Sequence, residues 1–252
     1  MKSWLRRMAL TVAVLSVIAV SGCVLLSSPR PVGAADEAAD ALAHKMVEAS
    51  GGAAWKRTGA VTWTYAGRYN HLWDRDRQLV RVRKDGFEAF VELRRVRGIA
   101  SQDGVRLEGA ERDEAVREAY AAWANDSFWL NAPIKAFDPG TTRARVAQEG
   151  GRDALLVAYS SGGVTPGDAY LWHLDEAGRP VSWQMWVSII PIGGLRASWQ
   201  GWVKLSTGAW VSTSHHIGPI HIEVTELSGA QTLDQLQPGP DPFKPLLDAL
   251  AP

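Results

Sequence analysis

Three histidines, His215, His216 and His221, with Glu223 and Glu226 close behind, are the side chains here best suited to hold a metal or move a proton. Gly218-Pro219 divides them between two adjacent strands. Neighbouring side chains of a strand point to opposite faces, so His215 and His216 cannot share one site. His221 and Glu223 do share a face, but zinc needs three or four ligands at about 2 Å. No His-Glu-x-x-His and no Cys/His cluster supplies the rest. A second pair lies in His71-Leu72-Trp73-Asp74. Residues three apart on a strand face opposite ways, and Asp74 suits a turn or an ion pair with Arg75 or Arg77. The nucleophile elbow, the P-loop and the dinucleotide-binding glycine motif are all missing. The expectation is therefore no catalytic residue, no metal and no cofactor, with a metal-dependent hydrolase ranked third among the readings.

Cys23, the sole cysteine, ends Val20-Ser21-Gly22-Cys23, after a basic start (Lys2, Arg6, Arg7) and an apolar run from Met8 to Val20. That run is shorter than the ~18–20 residues needed to span a bilayer. Small residues just before Cys23 suit the pocket of an export peptidase. The segment resembles the lipobox of bacterial lipoproteins. The resemblance implies cleavage before Cys23 and acylation of its thiol and new amine, palmitate being one such acyl group. Val24 follows instead of Asp, which in that family points to the outer membrane, facing the periplasm. A lone cysteine also excludes an intramolecular disulfide. Loss of residues 1–22 removes Lys2, Arg6 and Arg7 and no carboxylate, leaving 24 cations against 27 anions. That balance gives no basis for a nucleic-acid partner, whose affinity rests on clustered Lys and Arg.

The elements that must position any site follow from periodicity. Residues 23–35, with Ser-Ser-Pro-Arg-Pro, read as a flexible tether. Asp36 to Ser50 has helical spacing (Ala38, Leu42, Met46, Ala49), acidic residues in its first turn and Gly51-Gly52 as its stop. From Ala60 the period becomes two: Val61, Trp63 and Tyr65, then Val80 and Val82, then a Lys84-Asp85-Gly86 turn into Phe87, Ala89, Val91 and Leu93. A second helix is predicted over Glu111–Ala124, followed by an irregular covering loop over Asn125–Gly140. Seven more strand candidates follow: 143–148, 154–160, 168–175, 181–189, 196–204, 210–216 and 220–225. Turn residues separate them. The sum is ten or eleven antiparallel strands and two helices over 36–228, with 229–252 as a Pro-rich tail.

A further likeness rests on Lys45-Met46-Val47-Glu48-Ala49-Ser50-Gly51-Gly52 with Trp55, and on His71-Leu72-Trp73-Asp74-Arg75. It extends to Phe128-Trp129-Leu130 with Asp138-Pro139-Gly140, and to Thr165-Pro166-Gly167-Asp168. Together these resemble the LolA/LolB-like superfamily of periplasmic lipoprotein carriers and receptors, over about residues 38–226. The resemblance implies an α+β fold in which a strongly curved antiparallel sheet forms an open half-barrel with helices over its concave face. It also implies a lipid or other acyl-chain ligand. The carrier itself is soluble and unlipidated, which Cys23 is not consistent with, and no residue-by-residue match to the lipidated receptor is evident.

A curved sheet that cannot fill its concave face with its own side chains leaves an apolar hollow. Each CH₂ moved there from water contributes ~0.8 kcal/mol. Inward-facing candidates are Trp63, Tyr65, Val82, Phe87, Val91, Trp172, Trp183 and Met185, each of which could equally be packed core. Eleven of the 12 tryptophans follow Cys23 and spread along the whole chain, as core residues do. Ile189, Ile190, Ile192 and Leu195 crowd a hairpin tip, a place normally polar, and suit a membrane or partner contact. The expectation is a lipid-anchored envelope protein that binds an apolar ligand. The alternative is a packed scaffold lipoprotein that meets an envelope protein partner.

Overall fold

Alternating apolar and charged residues from Ala60 onward build a run of antiparallel strands in the computed structural model, which describes residues 27–161 and 166–251. β1 (Ala60–Tyr65), β2 (Tyr69–Asp74), β3 (Leu79–Lys84), β4 (Phe87–Glu92), β5 (Arg97–Gln102) and β6 (Val105–Arg106) follow one another as hairpins. The Lys84-Asp85-Gly86 turn forms as expected, with Asp85 at φ 47° and Gly86 at φ 77°, the left-handed pair that a two-residue hairpin loop requires. Later come β7 (Thr141–Val146), β8 (Ala154–Tyr159), β9 (Ala169–Leu174), β10 (Pro180–Trp186) and β11 (Leu195–Ser198). The last three are β12 (Gln200–Lys204), β13 (Trp210–Ile217) and β14 (Ile220–Ala230).

These strands make two antiparallel sheets, not one. Nine run in the order β12-β13-β14-β1-β2-β3-β4-β5-β6, and five in the order β11-β10-β9-β8-β7. Sequence periodicity overlooked β2, β5 and β6, and it joined β11 to β12. Trp199 lies between those two, 2% exposed, at the point where the chain passes from one sheet to the other. His215 Nδ1 donates to Ser198 O across 3.0 Å, tying β13 to the same corner.

α1 (Glu37–Ala49) is capped by Asp36, whose side chain accepts from Ala39 N at 2.9 Å. Its buried face is Ala39, Ala43 and Met46, rotated one residue from the expected stripe. After α2 (Gly52–Arg57), the long helix α3 runs Gly109–Asn131 and continues into a 3₁₀ turn, Ala132–Lys135. The predicted covering loop is thus mostly helix. Trp129, Leu130 and Asn131 are buried along it, and Pro133 sits at the start of the 3₁₀ turn, where a missing N–H costs nothing. Val116, Ala119 and Leu130 enter a core with Trp63, Val80, Val82 and Val91 under the larger sheet. Trp129 enters a second core with Trp172, Trp183 and Trp199 against the smaller one. One helix serves both.

Both ends of the described chain depart from expectation. Residues 229–230 complete β14, and the rest of the tail folds back as α4 (Leu233–Leu236) and α5 (Lys244–Leu250). Phe243 and Leu246 are fully buried against Leu72, Leu79 and Phe90 on the opposite face of the larger sheet from Trp63. Arg77 holds Asp74 at 2.6 Å and Asp241 at 2.6 Å, clamping this layer. The apolar spacing of Phe243, Leu246 and Leu250 outweighs the prolines around it. At the other end the tether is bound along its described part. Ser28 N donates to Gly193 O at 2.8 Å, and Ala34 and Arg145 exchange backbone hydrogen bonds of 2.9 and 2.8 Å at the free edge of β7. Gly33 permits this approach, since a Cβ there would sit 2.7 Å from Arg145 O. Cys23, Gly162, Gly163 and Thr165 lie outside the described residues.

Phe243→Ala should destabilise the protein by about 3–5 kcal/mol, the range for emptying a buried aromatic site. Urea denaturation measures it, and a loss under 1 kcal/mol would mean that the tail is not part of the folded unit.

Candidate functional site

Between the second half of α3 and the inner face of the smaller sheet lies a cleft of about 780 Å³. Tyr120, Trp123 and Phe128 line it from the helix, Tyr65 from β1, and Tyr159, Tyr170, Trp183 and Met185 from β8, β9 and β10. The loop after β10 contributes Val187, Ile189 and Ile190 at the rim. Its walls form because β8, β9 and β10 alternate their large residues onto one side. Register then aligns Val157 with Tyr170 and Tyr170 with Met185 across the strands. Ring contacts run from Phe128 to Tyr170 (4.9 Å) and from Tyr170 to Trp183 (4.6 Å). They continue from Trp183 to Trp129 (4.7 Å), Trp172 (4.8 Å) and Trp199 (5.0 Å). Edge and tilted geometries dominate, as the ring quadrupoles favour.

Of the cavity residues expected from sequence, Tyr65, Trp183 and Met185 line this cleft. Trp63, Val82, Val91 and Trp172 are fully buried core, and Phe87 packs against the core of the larger sheet. The reason is α3. On the larger sheet Val116, Ala119 and Leu130 fill the space in front of these residues. Of the hairpin residues, Ile189 is 72% exposed, Ile190 lines the rim, and Leu195 packs on the aromatic cluster. Ile192 is half-buried.

Asn125, Ser127, Lys135, Asp138, Ser161 and Asp168 are the polar residues of the cleft besides its tyrosines. Lys135 and Asp138 pair at 2.5 Å at its edge. Asp168 accepts from Ser188 N at 3.1 Å and from the Tyr170 hydroxyl at 3.4 Å. Burial raises the Tyr65 and Tyr170 phenols above their ordinary range, helped at Tyr65 by Asp126 and at Tyr170 by Asp168. Burial does the same to Tyr159. All three remain protonated donors at neutral pH.

The two histidine groups fall apart as sites. His71 Nε2 donates to Asp126 Oδ2 at 2.7 Å, with both side chains buried and the imidazole stacked 4.5 Å over Trp63. Asp126 sits on α3 beside the cleft residues Asn125 and Ser127, so this bond pins the helix to β2. Sequence reasoning missed Asp126, 55 positions away, because no local pattern links it to His71. Asp74 pairs with Arg77, as expected. His215 is buried between Trp129 and Trp199 (5.0 and 4.7 Å), while His216 is exposed on the other face and stacks on His221 at 4.3 Å. His221 and Glu223 are 3.7 Å apart. Among the described residues, no three His, Cys, Asp or Glu converge to hold a metal ion. No helix among them is long and apolar enough to cross a membrane. Neither protein-family models nor the sequences of curated proteins give a match to this chain.

Burial pulls His215 from an ordinary 6.5 down to about 4. An unfolded chain takes up that proton near pH 6.5 and the folded one resists it. The stability from this residue is therefore whole above pH 6.5 and is lost as pH falls towards 4. Between pH 7 and 4 the wild type should lose roughly 3 kcal/mol more than His215→Gln. Parallel stability curves for the two proteins in urea would refute this. Breaking the other pair with Asp126→Ala should cost about 1–3 kcal/mol, because it leaves the buried His71 Nε2 without its acceptor. The double change His71→Phe with Asp126→Leu should recover much of that loss. A double variant no better than Asp126→Ala would show that the pair's shape, not its polarity, matters.

Proposed function

We propose that this protein is a cell-envelope lipoprotein that holds a lipid or another apolar ligand non-covalently in the cleft beneath α3. The single observation that carries the reading is the cleft itself. Its volume of about 780 Å³ lies within the ~300–1,000 Å³ of small-molecule sites, and its walls are aromatic and aliphatic. The chemistry is burial and release, with each methylene contributing ~0.8 kcal/mol, so no catalytic group is needed. On this reading the two sheets, joined at Trp199, act as an open half-barrel and α3 as its cover, in the manner of the LolA/LolB-like proteins. The anchor is Cys23, the membrane the outer one, and the compartment the periplasm.

The N-terminal contacts support a particular orientation. Gly193 N donates to Ser27 Oγ at 2.9 Å, and Trp186 Nε1 donates to Ser28 O at 2.8 Å. Ser27 is four residues beyond Cys23, a reach of at most ~14 Å. A lipid on Cys23 therefore lies near the loop that carries exposed Ile189 and the cleft rim. That loop is the proposed membrane or partner contact.

Protein lacking residues 1–23 and purified from cells should carry lipid, visible by native mass spectrometry. Ala121→Trp, which fills the cleft from α3, should abolish that adduct and weaken N-phenyl-1-naphthylamine binding at least ~10-fold. Protein that binds neither lipid nor probe would support the scaffold reading. Ile189→Asp should reduce binding of the same unlipidated protein to liposomes while leaving probe binding intact. Unchanged liposome binding would remove the loop from the membrane contact.

A further inference from the structure

We propose that a groove at the edge of the larger sheet is a site for a phosphate ester, held by Arg97, Arg106, Arg112 and Arg117. The site is separate from the cleft and does not depend on the reading given to it. β6 is the last strand of the sheet and pairs only with Ser101 and Gln102, so residues 97–99 of β5 have no strand beside them. The first half of α3 and the end of α5 flank that bare edge, leaving a groove of about 640 Å³. Arg97 borders it from β5 and Arg106 from β6. Arg112, Val116, Arg117 and Tyr120 border it from α3, where three- and four-residue steps put them on one face. Val96, Ile99 and Leu250 supply apolar walls.

Four guanidinium groups line this groove against one carboxylate, Asp113, an excess of three cations. Their present partners leave donors over. Arg97 meets Glu92 and Arg106 meets Glu108 through Nε alone, at 3.2 and 3.1 Å. Arg112 uses Nε and one Nη on a single oxygen of its neighbour Asp113. Arg117 has no hydrogen bond or ion pair among the described residues. Ion pairs at the surface contribute little, so a better acceptor can replace them. Guanidinium forks suit carboxylates and phosphates alike, but a carboxylate has only two oxygens. A phosphate monoester brings up to two negative charges and three acceptor oxygens, enough to engage several forks at once. The apolar walls strengthen each such bond by lowering the local dielectric.

The test is isothermal titration of the protein lacking residues 1–23 with glycerol 3-phosphate, monomeric dihexanoylphosphatidylglycerol and succinate. At least one phosphate ester should bind, and more tightly than succinate. The double change Arg112→Ala with Arg117→Ala should weaken it at least ~10-fold, as loss of two charge-assisted contacts implies. Arg152→Ala, at an exposed arginine paired with Glu176 outside the groove, should leave it unchanged. Glycerol 3-phosphate binding as tightly as the lipid identifies a free phosphate ester as the ligand, whereas binding of the lipid alone identifies a headgroup. The proposal is overturned if neither ester binds, if succinate binds as tightly, or if the double variant binds as the wild type does. The same double variant should keep its affinity for N-phenyl-1-naphthylamine, which separates failure of the groove from failure of the cleft.

Discussion

Trp199 sits where the chain passes from one sheet to the other, and this is the constraint on which the remaining architecture hangs. A continuous strand from Leu195 to Lys204 would have carried one sheet straight on. Instead the chain turns at a buried indole that meets Trp172, Trp183 and His215, each at 5.0 Å or less. The turn sets the two sheets as separate walls, so no single strand face can close the gap between them. Something else has to cover both.

α3 does so unequally. Its first half and Leu130 present small and aliphatic residues to the larger sheet and exclude solvent there. Its second half turns Phe128 and Trp129 towards the smaller sheet, where Phe128 borders the cleft together with Ala121 and Ala124. The His71–Asp126 bond holds that helix in register.

How much of this was legible in the sequence depended on whether the signal was local. The strand rhythm from Val61 to Tyr65 and from Val80 to Leu93 and the Lys84-Asp85-Gly86 turn were readable because period and turn chemistry are short-range properties. So was the opposition of His215 and His216, which follows from strand geometry alone. The split at Trp199 was not readable, since Arg196–Lys204 alternates as one strand and only tertiary packing bends it. Trp63 and Trp172 were recognised as inward-facing, yet whether an inward residue meets a neighbour or a void depends on α3, a distant element. Phe128, Trp129 and Leu130 were read as a loop cluster because prolines and glycine follow them, although those breakers act only after Asn131.

The hydrogen bonds at Ser27 and Ser28 have a consequence for how the domain samples its surroundings. With a free linker of a dozen residues, a tethered domain would tumble, and its opening would face the bilayer only a small part of the time. The contacts of Ser28 with Gly193 and Trp186, on the proposed reading, shorten the leash to a few residues. On the proposed reading, the lipid anchor then restricts orientation as well as distance. The local concentration of membrane lipid at the opening rises with no added contact between them. On that reading a short leash does the work of a second binding site.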